Sequence, residues 1–167
     1  MNEHIKTGFE YTVEVVNKHT GAVREREVIK NLMPMEGITH MQNVLLKGGS
    51  QVLSWFIGVY SGAYTPVSGD TMATFPTAAT EFTNYVGATR KAFTPGTPVA
   101  GVVDNTANKA EFELSEDETL YGGFISSSSA KGSTSGILLS AVRFGSPKAL
   151  STDEVLRVTA GFITASA

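Results

Sequence analysis

The chain has 167 residues and a mass of 17.7 kDa, a length that predicts one domain with a sizeable core rather than two full ones. A net charge of −3, a pI near 5.6 and no basic stripe argue against a general nucleic-acid surface, whose affinity comes from clustered Lys and Arg releasing counterions. With no cysteine there is no disulfide framework and no thiolate metal site, so packing and partners must hold the fold.

Met1 to Thr7 is polar and of mixed charge, unlike the basic and then apolar pattern of a signal peptide. Phe9, Tyr11, Val13 and Val15 then alternate with Glu10, Thr12 and Glu14, the period of two of a half-buried strand. Asn17 to Gly21 supplies turn residues, and Ala22 to Ile29 returns with Arg24, Glu25, Arg26 and Glu27 in succession. Such charges blunt an exposed sheet edge. Their alternating signs could also zip onto another subunit, although an exposed pair is worth only about 0–1 kcal/mol. The expectation is a charged N-terminal hairpin or arm over residues 1–30 and a body over residues 31–167.

Between Met35 and Gly49 the spacing of Ile38, Met41, Val44 and Leu45 predicts one short amphipathic helix, closed by Gly48, whose stripe covers an open end of a sheet. Pro34 forces an extended approach to it. The run Trp55 to Tyr60 is apolar at successive positions and predicts a central strand buried on both faces. Residues 61–80 hold Gly62, Pro66, Gly69 and Pro76 and predict a long connection with at most a helical turn near Asp70 to Thr74. Loops of that length are usually functional or ordered by a neighbour.

Further strands are predicted at Thr89 to Phe93, Val99 to Val103, Lys109 to Leu114, Leu120 to Ser127, Gly136 to Phe144 and Glu154 to Thr164, with breaks at Pro95, Pro98, Asp104 to Asn108, Ser115 to Glu118, the Ser/Gly tract and Pro147. Short strands at regular spacing predict a mainly β fold, a β-sandwich or jelly-roll-like domain with one short helix. No apolar run approaches the ~20 residues of a membrane-crossing helix, so no membrane role is expected.

Charge is unevenly placed. Ten of the 29 charged residues fall in the first 30 positions, while residues 51–88 carry only Asp70 and Glu81. Surfaces meeting water are normally rich in charge, so this stretch predicts cover by protein. The catalytic search is thin. His4, His19 and His40 share no element, Thr134 stands where a nucleophile elbow of the Gly132 to Gly136 type needs Ser, and Ser115 to Glu118 lacks the register of a calcium loop. No cofactor, metal or catalytic residue is assigned. Two rival classes are a glycan-binding module using Tyr60, Tyr64 and Tyr85, and a hydrolase pairing Asp70 with Glu81.

The segments Asn31 to Gly49 (NLMPMEGITHMQNVLLKGG), Trp55 to Pro66 (WFIGVYSGAYTP), Phe75 to Tyr85 (FPTAATEFTNY), Tyr121 to Ser146 (YGGFISSSSAKGSTSGILLSAVRFGS) and Val155 to Phe162 resemble small structural proteins of tailed bacteriophages. The likeness covers roughly residues 31–167. It implies a non-enzymatic virion subunit, made in the host cytoplasm and repeated in the particle. The station it suggests is a capsid decoration or cement protein, contacting the major capsid protein and copies of itself; neck, collar and tail remain alternatives. Because aromatic and Arg side chains concentrate interface energy, Phe9, Tyr11, Arg24, Arg26, Tyr60, Tyr64 and Phe75 are the expected contacts.

Overall fold

In the computed structural model, residues 6–165 are described, so His4 lies outside them. The chain is mainly β and forms two antiparallel sheets facing each other across a shared core. Its elements are β1 (Lys6–Asn17), β2 (Val23–Lys30), α1 (Met35–Leu46), β3 (Trp55–Tyr60), a single helical turn α2 (Phe75–Ala78), β4 (Glu81–Phe82), β5 (Lys91–Phe93), β6 (Val102–Asp104), β7 (Ala110–Glu113), β8 (Glu118–Ser126), β9 (Leu138–Leu150) and β10 (Glu154–Ala165).

Sheet A runs β2-β1-β10, with β6 and β7 sharing the far edge of β10. The alternation read in the sequence sends Phe9, Tyr11, Val13 and Val15 inward, and β10 answers with Leu156, Val158 and Ala160. Asn105 fills the gap between β6 and β7: its Oδ1 accepts the Ala160 N–H at 2.7 Å and its Nδ2 donates to the Asn108 and Val158 carbonyls. Without it the buried backbone of β10 would lack a partner there.

The N-terminal hairpin is not an arm. β1 pairs with β10 from Lys6 to Asn17 and with β2 on its other side, so it is an interior strand of sheet A. β2, the edge, is tied to sheet B as well. The Gly145 N–H donates to Glu27 Oε1 at 2.8 Å, and the Lys148 ammonium lies 2.7 Å from Glu27 Oε2 and pairs also with Glu25. These contacts explain a second departure from expectation. Pro147 does not end its strand, because the β8–β9 register slips between Leu120 and Gly122 and the extra β9 residues swing toward β2. A residue with no N–H is tolerated at such an irregularity.

Sheet B runs β4-β3-β8-β9, with β5 beside β4 along one edge of β3. As predicted, β3 is covered on both faces. Ile57 and Val59 join the core between the sheets, whereas Tyr60 faces outward into a second cluster with Met72, Phe75, Ala79, Phe124, Leu138 and Ala141. The cover on that outer face is residues 61–80, the long connection itself. Phe75 sits edge-on to Tyr60 and Phe124, with centroids 5.6 and 5.4 Å away. Gly58 and Gly122 make room for the rings. A Cβ at Gly58 would fall 2.3 Å from the Phe124 ring, and one at Gly122 would fall 2.2 Å from that of Tyr60. The helical turn comes at Phe75–Ala78, just past the expected place, with Pro76 in its first turn.

Helix α1 lies against the end of the sandwich, with Gly37 buried, Met41 packed against the core and its last residues, Leu45 and Leu46, exposed. Gly37 meets the backbone of Leu138 and Leu139 so closely that a Cβ would be 2.6 Å from the Leu139 carbonyl oxygen. Glu36 accepts the Met72 and Leu138 N–H groups at 2.8 and 2.6 Å, joining helix, loop and β9. Leu45, expected within the packed stripe, is exposed instead.

Candidate functional site

The two carboxylates of the charge-poor stretch are both inside. Asp70 is 6 % exposed and accepts the Tyr64 hydroxyl at 2.7 Å and the Val67 N–H at 2.8 Å. It closes the turn that starts the loop's descent onto sheet B. That hydrogen bond, ahead of desolvation, raises the Tyr64 phenol above its ordinary pKa. The Glu81 side chain is 3 % exposed and clamps Arg90 bidentately, with Arg90 Nε at 2.8 Å and Nη2 at 2.7 Å. Arg90 gives its remaining donors to Ser126 Oγ and to the Ser128 and Ser133 carbonyls, and stacks 5.1 Å above the Phe124 ring. Glu81 also accepts the Gly132 N–H. The Ser/Gly tract is therefore folded around a buried ion pair.

The consequence is a surface without charge. Between Gln51 and Thr89 no ionised side chain reaches solvent, since this stretch contains only those two carboxylates. What it shows to water is Thr, Ser, Ala, Asn and Gly, together with Leu53, Val67 and Val86. Arg90 was not among the residues sequence reasoning singled out. Its signal was available: it is the first cation after a stretch holding two unexplained carboxylates.

The expected contact residues divide. Phe9, Tyr11, Tyr60 and Phe75 lie in the interior. They cannot touch a partner while the fold is intact, which corrects the expectation that they are interface anchors. Phe9 and Tyr11 line the core between the sheets, and Tyr60 and Phe75 bind the chain's own loop. Aromatic enrichment does not distinguish cover by a partner from cover by a loop of the same chain. Tyr64 is half-buried, and Arg24 and Arg26 are exposed. Arg24 grips Glu154 through Nε at 2.6 Å and donates to the Ala149 carbonyl at 2.7 Å, while Arg26 lies 3.6 Å from Glu14. These are contacts within the chain.

The residues of the rival readings do not converge. Tyr60 and Tyr85 are buried, leaving Tyr64 alone of the three tyrosines at the surface. Asp70 and Glu81 are each consumed by a separate network. His19 faces Asp153 at 3.1 Å in an exposed pair, and His40 stands 5.7 Å from the Trp55 ring. In the Ser115 to Glu118 turn, Asp117 accepts the Thr152 N–H and Glu118 that of Thr119. Among the described residues, no three His, Asp or Glu side chains group as metal ligands would.

One concave feature stands out at the end of the sandwich where α1 overhangs. A groove of about 390 Å³ is lined by Val44, Leu45, Val52, Trp55, Phe93 and Phe162 among others, with no Asp, Glu, Lys or Arg in its wall. Beside it Leu45, Leu46 and Leu53 are 81, 75 and 89 % exposed. No known protein family matches the chain, and no curated protein matches it in sequence.

Proposed function

We propose that the chain is a non-enzymatic structural subunit of a phage particle, a homo-oligomeric decoration or cement protein seated on the major capsid protein lattice at the virion surface. One observation carries this reading: no ionised side chain reaches solvent between Gln51 and Thr89. Burial inside the chain accounts for part of the charge deficit, because Met72, Phe75 and Ala79 cover Tyr60 and Phe124 on the outer face of sheet B. It does not account for the many exposed positions of the same stretch, where Lys and Glu are the usual residues.

An uncharged surface of hydroxyl and aliphatic groups costs far less to dehydrate than a charged one when another protein covers it, and charge depletion marks the centre of protein interfaces. A decoration subunit needs only modest free energy per contact, since binding to the assembled shell and engagement of several sites reinforce each copy. Neck, collar and tail stations would use such a surface in the same way.

Copy number decides among them. Quantitative mass spectrometry of purified particles should count this chain in a ratio near that of the major capsid protein. A single ring's worth of copies would move it to the neck or tail, and its absence from the particles would overturn the proposal.

A further inference from the structure

We infer that the groove under the overhang of α1 is a peptide-recognition site that takes an extended, uncharged segment of another chain, with apolar side chains on alternate residues. Three observations point to that occupant. First, the wall carries no Asp, Glu, Lys or Arg, His40 being its one titratable side chain, so a segment bearing carboxylates or ammonium groups would lose its water without gaining a strong partner.

Second, the groove is bordered by main chain that has nothing to bond to. Among the described residues, no backbone N–H or C=O of residues 50–54 forms a hydrogen bond within the chain. This segment runs without turn or bend into β3, past the last paired residue Trp55, and Val52 and Gln51 line the groove. Free main chain continuing a sheet strand is what strand addition uses: backbone bonds hold the incoming segment, and pockets read every second side chain.

Third, the dimensions fit a linear segment and not a folded copy. A cavity of about 150 Å³ holds one benzene ring, so the groove's volume matches two or three apolar side chains. The exposed apolar side chains beside it are Leu45, Leu46 and Leu53, whereas a stable contact between globular partners draws on about 20–30 residues from each side. The inference stands apart from the decoration reading, because it concerns the site and not the particle to which the chain belongs.

The test uses the full chain and a synthetic hexapeptide, Ac-Ser-Leu-Thr-Val-Ser-Thr-NH2, with a control of the same composition in which the two apolar residues are three apart. Trp55, in the groove wall, reports occupancy by fluorescence, and amide hydrogen exchange reports the backbone of residues 51–54. The expected result is saturable binding, exchange at residues 51–54 slowed at least tenfold, and a control at least tenfold weaker. Leu45→Asp, at an exposed position, should keep the fold by circular dichroism and lose the binding. Equal binding of both peptides, no binding at millimolar peptide, amides of residues 51–54 already protected in the free protein, or a concentration-dependent dimer abolished by Leu45→Asp would each overturn the inference.

Discussion

The outer faces of the two sheets solve the same problem in opposite ways. Sheet A turns a lattice of ions to water: Lys109 and Arg26 flank Glu14, Arg157 meets Glu111 at 2.6 Å, Lys18 meets Glu113 at 3.2 Å and Arg24 holds Glu154. Sheet B turns aromatic rings outward and hides them beneath residues 61–80. The comparison teaches that sparse charge in a sequence reports cover without saying whose atoms provide it. For Tyr60 and Phe75 the cover is the chain's own loop; for the exposed residues between Gln51 and Thr89 the fold supplies none.

The contrast predicts unequal damage. The largest effect belongs to Arg90→Ala, which leaves the Glu81 carboxylate buried without its cation and should cost about 4–5 kcal/mol in chemical denaturation. The double variant Arg90→Met, Glu81→Leu should recover most of that loss, because apolar groups of similar volume carry no charge to desolvate. Phe75→Ala should follow at about 3–4 kcal/mol by removing the ring between Tyr60 and Phe124. Faster amide exchange confined first to residues 61–80 would show that the loop is held by this face.

Sheet A should respond to acid instead. Hydrogen bonds from Lys148 and Arg24 hold the Glu25 and Glu154 carboxyls below the ordinary glutamate value. Their folded-state pKa values lie beneath the unfolded value of about 4.3, so their contribution is complete above that pH and is lost as the pH falls through the folded-state values. Both pairs touch solvent, so the loss should be about 1 kcal/mol each, read as a falling melting temperature in a pH series below about 4.5. Arg26→Ala should change stability by less than about 1 kcal/mol. Tyr85→Phe should be close to neutral or stabilising, within about 1 kcal/mol, because the buried Tyr85 hydroxyl has no hydrogen-bond partner among the described residues while Lys131 sits over its ring at 3.7 Å.

Much of this architecture was legible in the sequence. The alternation from Phe9 to Val15, the uninterrupted apolar run of β3 and the turn residues at Asn17 to Gly21 each have a local cause, and each element formed where that cause lay. What was not legible depends on contacts distant in the chain. The hairpin reads as an arm because its charges are visible locally, whereas its pairing with β10 joins residues more than a hundred positions apart. Pro147 reads as a break because nothing nearby reveals the register slip against β8. The site was least legible of all. Low charge pointed to a covered region, yet the Glu81–Arg90 pair and the groove beside Trp55 arise only when separate segments meet.

The inward glutamates of β2 carry a consequence for crowding. Along this edge Glu25 and Glu27 face the interior side of the sheet, and Arg24, Arg26 and Val28 face water. Two copies meeting edge to edge in one plane, related by a dyad through the sheet, place residues of the same facing opposite one another. Glu25 and Glu27 would then meet only each other or an aliphatic residue, and Arg24 and Arg26 only each other, Lys30 or Val28, so no rung gains a pair of opposite charges. In such registers the strand draws no charge attraction from its own twin, and wherever Glu25 meets Glu27 or Arg24 meets Arg26 the like charges oppose edge-to-edge fusion of crowded molecules.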